Sequence, residues 1–325
     1  MIFMEREAYN TGLKRHTIKT VVTVCLFFIG LSFTYGQYRI VSYNVENFFD
    51  YQHDTLKNDS DFLAEGKYRW TYKRFSNKAE QIARVICQAG EWDVPLLVGL
   101  CEVENDMCMK QLRRSMTNYP YGYIHQESPD ERGIDVALMY DSLRFQILDR
   151  SAMRVDLGDD YTRDILYVRG CTREKDTLHV MVCHLPSMRG GKQASEWKRQ
   201  RAKEVIQNKT DSILSQRTDA LIVVMGDMNS EAKNDLRGLK NLMVGMETNN
   251  TIRGTHKWRG EWSYLDQFYV SLAMYARCDA RVYSADFLTE DDEKYLGKRP
   301  KRTWQGYRYD SEGYSDHLPI ILDFK

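Results

Sequence analysis

Leu221-Ile222-Val223-Val224-Met225 runs straight into Gly226-Asp227-Met228-Asn229, and this segment restricts the local structure of the chain more than any other. Five consecutive apolar residues ended by a glycine read as a buried strand. The carboxylate and carboxamide that follow stand two residues apart, so in extended chain they point to the same side. A polar pair held at the end of a rigid, buried strand adds little to a fold and aims two functional groups well. For this motif alone, capping of the next helix or shaping of a turn is an equal alternative.

The same construction recurs along the chain. Arg39–Tyr43 leads into Asn44, followed by Val45-Glu46-Asn47, and Pro95–Cys101 leads into Glu102, with Glu104 and Asn105 behind it. Leu178–Cys183 leads into His184; Leu265 precedes Asp266; Tyr314-Ser315-Asp316-His317 precedes the apolar run Leu318–Leu322. A lone His or Glu is usually satisfied or solvated. Polar groups at strand ends on six separate segments point instead to one shared site.

The order Asn, Glu, His, Gly-Asp-x-Asn, Asp, Ser-Asp-His resembles the endonuclease/exonuclease/phosphatase superfamily, which includes pancreatic-type deoxyribonucleases, apurinic endonucleases, inositol-polyphosphate phosphatases and neutral sphingomyelinases. The resemblance runs from about Tyr38 to Lys325. Tyr43–Phe49 and His184–Gly191 are similar to a secreted Bacteroidetes-type branch. The residues alone support an α/β or α+β fold with several buried strands. The resemblance implies a four-layer α/β/β/α sandwich of two mixed β-sheets flanked by helices, with a cleft formed by loops at one sheet edge. Two polar insertions, Gln52–Trp70 and Gln126–Gly133, suit that rim.

By the same resemblance Glu102 is the metal ligand, favoured over Glu104 and Glu46, with Asn44 and Asp316 completing or adjusting the coordination. Such hard oxygen donors suit Mg²⁺, with Mn²⁺ or Ca²⁺ as alternatives. Asp227 is the general base or the group orienting the attacking water, and Asn229 holds phosphate or water. His317 contacts a phosphate oxygen, oriented by Asp266. His184 is either an acid for the leaving oxygen or a second phosphate clamp. Arg189 and Arg163 are candidate phosphate contacts because a guanidinium binds phosphate bidentately, with a surface ion pair as the equal alternative.

Composition is globular, 42% hydrophobic and 12% aromatic, with 46 basic and 46 acidic residues. Lys14, Arg15 and Lys19 precede an apolar stretch, Val21–Phe33, that is signal-sized and shorter than the ~20 residues of a spanning helix. Residues 1–36 are therefore expected to be a cleavable signal peptide, with an uncleaved anchor as the alternative, and 37–325 a single catalytic domain in the periplasm or outside the cell. Removing 1–36 takes four basic and two acidic residues, leaving 42 against 44, which argues against a dedicated DNA-binding module. A monomer with no stable membrane anchor is expected. The six remaining cysteines show no metal spacing, and no disulfide is predicted.

Phe75, Ala79, Ile82 and Ile86 predict an amphipathic helix stopped by Gly90, and Ser195–Leu214 predicts another. Strands are expected at Val94–Leu100 and Ile134–Tyr140, with Phe145–Leu148 pairing beside the latter. Tyr167-Val168 and Leu178–Cys183 bracket a turn at Thr172–Asp176.

One segment lies outside the family pattern. Lys294–Tyr309 interleaves basic residues, among them Lys298, Arg299, Lys301 and Arg302, with Tyr295, Trp304, Tyr307 and Tyr309. Basic groups that hold phosphates beside aromatic faces that stack on bases suit single-stranded nucleic acid. A structural hairpin with Trp304 packed on the sheet edge is the equal alternative. The expected activity is metal-dependent phosphodiester hydrolysis, foremost by a nuclease (endonuclease). A lipid or inositol phosphodiesterase or phosphatase is the second reading, and a non-catalytic binding module the third.

Overall fold

The computed structural model describes residues 38–91, 93–188, 191–246 and 251–325; the expected signal peptide lies outside them. Along the chain β1 (Tyr38–Phe48), β2 (Leu97–Val103), β3 (Tyr121–His125) and β4 (Asp135–Asp141) enter one sheet. A second sheet is built from β5 (Phe145–Met153), β6 (Ile165–Thr172), β7 (Thr177–His184), β8 (Leu221–Asp227), β9 (Leu239–Asn241) and β10 (Asp266–Ser271). Strands β11 (Cys278–Val282) and β12 (Ile320–Phe324) then return to the first. The order across the sheets is β11-β12-β1-β2-β4-β3 and β5-β6-β7-β8-β10-β9.

Each sheet holds one parallel pair, β1 with β2 and β7 with β8; the remaining neighbours run antiparallel. A parallel pair needs a long crossover. Helix α1 (Tyr72–Gly90) lies in the first crossover and helix α3 (Glu196–Gln216) in the second, while helix α2 (Asp106–Ser115) follows β2.

Strand alternation sorts the side chains into layers. Ile40, Leu97, Cys101 and Leu322 of the first sheet share a core with Val180, Val182, Met225 and Phe268 of the second. On the outer faces, Val41, Tyr43 and Leu100 pack with Phe75, Ile82 and Ile86 of α1, and Met181, Ile222 and Val224 pack with Ala202 and Ile206 of α3. Two mixed sheets face to face, with helices outside, make the expected four layers. Strand β8 is buried along its whole length, which is why it reads as an unbroken apolar run. Fully burying side chains such as Ile82 and Ile86 contributes about 1.5–3 kcal/mol each.

All four apolar positions predicted for α1 are buried and the helix ends at Gly90; α3 starts one residue after the predicted Ser195. Strand β2 starts later than expected, at Leu97, because Pro95 has no N–H to give a ladder. The hairpin across Thr172–Asp176 forms as expected. Phe145–Leu148 does not pair beside β4: it belongs to β5, which pairs with β6 in the other sheet. Asp141 turns the chain there, accepting hydrogen bonds from the Leu143 amide at 2.9 Å and from Arg144 Nε at 2.6 Å.

Candidate active site

The two parallel pairs bring the carboxyl ends of β1, β2, β7 and β8 to one edge of the sandwich. Antiparallel partners bring their amino ends there: Asp266 opens β10 opposite Asp227, and Ile320 opens β12 opposite Ser42. The register His184↔Asp227 sets those two side by side on neighbouring strands. Topology alone therefore collects the strand-end polar groups of all six segments.

At the centre, Asn44 Nδ2 donates to Glu102 Oε1 at 3.3 Å and, across the sheet interface, to Asp227 Oδ2 at 3.1 Å. The other Glu102 oxygen accepts from the Asn47 amide at 2.8 Å, and Asp227 Oδ1 accepts from the Asn229 amide at 2.8 Å. His184 Nε2 lies 3.6 Å from Asp227 Oδ2 and 4.0 Å from Glu102 Oε1. His317 Nε2 lies 3.9 Å from the same Asp227 oxygen, while its Nδ1 is 2.7 Å from Asp266 Oδ2. Asn229 Nδ2 donates to the Leu185 carbonyl at 2.9 Å, tying the segment after β8 to the one after β7.

The backbone here is strained. Glu46, Asn47, Glu102 and Asn229 all adopt positive φ, between 47° and 68°, and residues held so cost about 1–3 kcal/mol each. Glu102 is the extra residue of a bulge, since Cys101 pairs with Val136 and Val103 with Asp135; the bulge turns its carboxylate toward Asn44. Gly226 serves close approach: its φ is +140° and a Cβ would fall 1.8 Å from the Cys183 carbonyl oxygen. Only glycine lets β7 and β8 run this close one residue before His184 and Asp227.

Burial pushes the Asp227 carboxyl up to about 7, with His317 pulling it back and Asp266 and Glu102 adding to the rise. The two histidines are driven apart. Burial, with the charges of Arg163 and Arg132, holds His184 well below its usual range and so neutral. Burial also disfavours a charged His317, but Asp266, Asp227 and Asp316 outweigh it and raise that imidazole well above its usual range. Burial alone would raise Asp316; His317, Arg302 and His256 outweigh it and hold it at about 2.

The remaining expected residues sort clearly. Glu104 turns away from this cluster and accepts from the Asp50 amide at 2.7 Å. Asn44 gives Glu102 and Asp227 its amide nitrogen, and its oxygen accepts from the Glu46 amide at 3.1 Å, so it bridges the two carboxylates. Arg163 is buried, with Nε 3.4 Å from Asp130 Oδ2, and its Nε and Nη2 have no hydrogen-bond partner. Its surroundings include Glu102 and Asp227. Arg189 lies outside the described residues.

The basic-aromatic segment is mostly structural, and the expectation of an open stacking face at Trp304 is corrected. Trp304 is 5% exposed and packs among Phe62, Tyr68, Trp70 and Tyr309, because the short hairpin of Trp304–Gln305 with Arg308–Tyr309 turns it inward. Lys298 pairs with Asp291 and Arg299 with Glu290, both at 2.8 Å, across the hairpin of Thr289–Asp291 with Lys298–Pro300. Arg302 reaches the site itself: Nη2 donates to Asp316 Oδ2 at 2.7 Å and Nε lies 3.7 Å from Glu46 Oε1.

His256 was not anticipated. Its ring lies 4.7 Å from that of His317, tilted by 40°, and its Nε2 lies 4.0 Å from Asp316 Oδ2. With Asp316 and His317 it forms a group whose ligand atoms lie within 4.8 Å of one another. A single histidine opening a three-residue strand carries no period that sequence reasoning could use. The donor set around Glu102, Asp227 and Asp316 is rich in carboxylate oxygen and contains no thiolate, so these residues fit a hard divalent cation.

A model of a family described as Endonuclease/Exonuclease/phosphatase matches residues 39–325. Truncated TDP2 from Caenorhabditis elegans superposes with a TM-score of 0.59 at 14% identity, over 89% of this chain and 97% of that one. TDP2 from D. rerio, solved with a single strand DNA product, gives 0.57 at 16% identity over 89% and 99%. An endonuclease/exonuclease/phosphatase from Bacteroides vulgatus gives 0.56 at 13% identity over 89% and 99%. At such identities the likeness is one of fold. No curated protein matches the chain.

Proposed function

The chain belongs to the Endonuclease/Exonuclease/phosphatase family, whose members are hydrolases acting on phosphate esters, and from that premise we propose that it is a divalent-metal-dependent nuclease. The observation that carries this reading is the pairing, in one buried site, of a carboxyl at about 7 with a guanidinium whose Nη2 makes no hydrogen bond and whose Nε meets only Asp130 Oδ2, at 3.4 Å. A general base works best with a pKa near the working pH, and a desolvated guanidinium with free N–H groups is an anion receptor.

In this mechanism Asp227 takes the proton of the attacking water while Asn229 and Asn44 fix its carboxylate. Charged His317, held by Asp266, binds a non-bridging phosphate oxygen, and Arg163 neutralises a second. Neutral His184 suits a hydrogen-bond contact to phosphate better than delivery of a proton to the leaving oxygen, which takes its proton from solvent water. Glu102 would hold the metal, with Asp316 adjusting it; the ion supplies charge neutralisation at the phosphate. Mg²⁺ is the expected ion, with Mn²⁺ or Ca²⁺ as alternatives. Nucleic acid is the substrate favoured here, in keeping with the single strand DNA product with which one structural relative was solved. The export segment at residues 1–36 would place the enzyme in the periplasm or outside the cell.

The test is a substrate panel of a single-stranded oligonucleotide, an aryl phosphodiester, an inositol phosphate and sphingomyelin, with Asp227→Ala as control. Oligonucleotide cleavage that stops in chelator and returns with Mg²⁺ is expected. Undiminished turnover in excess chelator overturns the metal mechanism, and hydrolysis confined to sphingomyelin or inositol phosphate overturns the nuclease reading.

A further inference from the structure

His125 ends β3, Asp135 opens β4, and Glu127 lies in the loop between them. One ligand atom from each of the three falls within 4.8 Å of the other two. Asp135 is fully buried, and its two oxygens are treated differently. Oδ1 accepts from the Ser128 amide at 3.2 Å and from the Ser128 hydroxyl, whereas Oδ2 has no donor. Facing Oδ2 at 3.6 Å is His125 Nε2, on a side chain 4% exposed and likewise without a hydrogen-bond partner. Glu127 Oε1 lies 3.9 Å from the other ring nitrogen and is the exposed member.

Two buried, complementary polar atoms do not normally stay apart. At 3.6 Å they are too far for a hydrogen bond. The separation fits something between them: two ligands each ~2.1 Å from a common ion subtend about 118° when 3.6 Å apart, close to a tetrahedral angle. Ser128 holds the carboxylate in the orientation that leaves Oδ2 free, as groups behind a metal ligand characteristically do.

We propose that His125, Asp135 and Glu127 form a second, structural cation site, separate from the Glu102 site, that takes a borderline transition metal of the Zn²⁺ class. An imidazole nitrogen with carboxylate oxygens suits such an ion better than Mg²⁺; Nε2 and Asp135 Oδ2 face it, and exposed Glu127, 3.9 Å from Nδ1, swings round to complete it. The site pins the loop Gln126–Gly133, which carries Asp130, the partner of buried Arg163. Lys57 clamps the same loop from the other insertion, donating to the Ser128 and Asp130 carbonyls at 2.8 and 3.0 Å. The ion would therefore fix the rim that positions Arg163.

The experiment needs no substrate. Full-length protein stripped with chelator is equilibrated with Zn²⁺ in excess Mg²⁺, which competes for the oxygen-rich site, and bound Zn²⁺ and the melting temperature are measured. The wild type should retain about one Zn²⁺ per chain and melt higher with it. His125→Gln and Glu127→Gln should bind it at least 10-fold more weakly, while Glu102→Gln retains it. A wild type that holds no Zn²⁺, or Glu127→Gln and His125→Gln proteins that hold as much as wild type, overturns the proposal. If His125→Gln does not fold, the exposed Glu127→Gln decides alone. A chain inactive toward phosphodiesters that still loads Zn²⁺ here would refute the nuclease and leave this site standing.

Discussion

Gly226→Ala is the sharpest test of how this fold builds its site. Alanine brings a Cβ to 1.8 Å from the Cys183 carbonyl oxygen, and real contacts of that kind essentially never fall under 3.0 Å, so β7 and β8 must part by more than 1 Å. The backbone angle, φ +140°, is itself nearly closed to alanine, which costs about 1–3 kcal/mol. Overpacking of a filled interior costs about 1–3 kcal/mol more. A total of roughly 2–6 kcal/mol should lower the melting temperature by roughly 5–20 °C in a domain of this size. The displacement falls one register position before His184↔Asp227. A shift of about 1 Å in reacting groups is worth roughly 100-fold in rate. Melting followed by circular dichroism, and kcat on a small aryl phosphodiester well below the variant's midpoint, measure the two effects. A variant with wild-type melting refutes the steric argument. One that melts lower but keeps wild-type kcat refutes the claim that Gly226 sets the distance between the two site residues.

Glu102→Gln should raise the Mg²⁺ concentration needed for activity at least 10-fold, whereas Glu104→Gln, whose carboxylate faces the Asp50 amide, should leave metal titration unchanged; the opposite ranking would transfer the ligand role to Glu104. Asp266→Asn removes the main support of the raised His317 pKa, so the variant's imidazole deprotonates at lower pH; relative to wild type, kcat/KM should be at least about 10-fold lower at pH 8 with the ratio closing toward acid, and a uniform loss across pH would contradict an imidazolium role. Asp323 accepts from Arg39 and Arg281, which hold its carboxyl below the usual range against its burial. Its contribution is thus complete above the unfolded carboxylate pKa and lost as pH falls through the folded one; Asp323→Asn should cost about 1–3 kcal/mol at pH 7, with the difference from wild type vanishing in acid denaturation curves. Trp304→Ala should cost about 3–5 kcal/mol in chemical denaturation as a core truncation, and a loss below about 1 kcal/mol would return Trp304 to the surface.

The parts of this molecule that sequence discloses are those where period and chemistry coincide. Strand β8 and helix α1 announce themselves because burial demands unbroken or evenly spaced apolar residues. The strand-end groups are visible because a polar residue after such a run is locally costly. Phe145–Leu148 reads as a neighbour of β4 because adjacency in sequence favours adjacency in a sheet, and nothing in the residues reveals that the Asp141 turn crosses between layers. Trp304 reads equally as a stacking face or a core residue, since only the aromatic cluster supplied by Phe62, Tyr68 and Trp70 decides the matter. His256 and the pairing of His125 with Asp135 depend on contacts between hairpins and strands that no local pattern encodes.

Strand β1 is flanked on one side by β2, made soon after it, and on the other by β12, at the far end of the chain. The Ser315 hydroxyl donates to the Asn44 carbonyl at 2.7 Å, so the last segment also closes the site over the first. During synthesis, β1 must wait with one edge unpaired until nearly 280 residues more have emerged, an order of assembly that favours slow folding. No product ending before His317 can hold the imidazole that faces Asp227 and Asp266. A cell making this chain would thus carry no fragment of it with a complete site while translation is under way, a safeguard written into strand order alone.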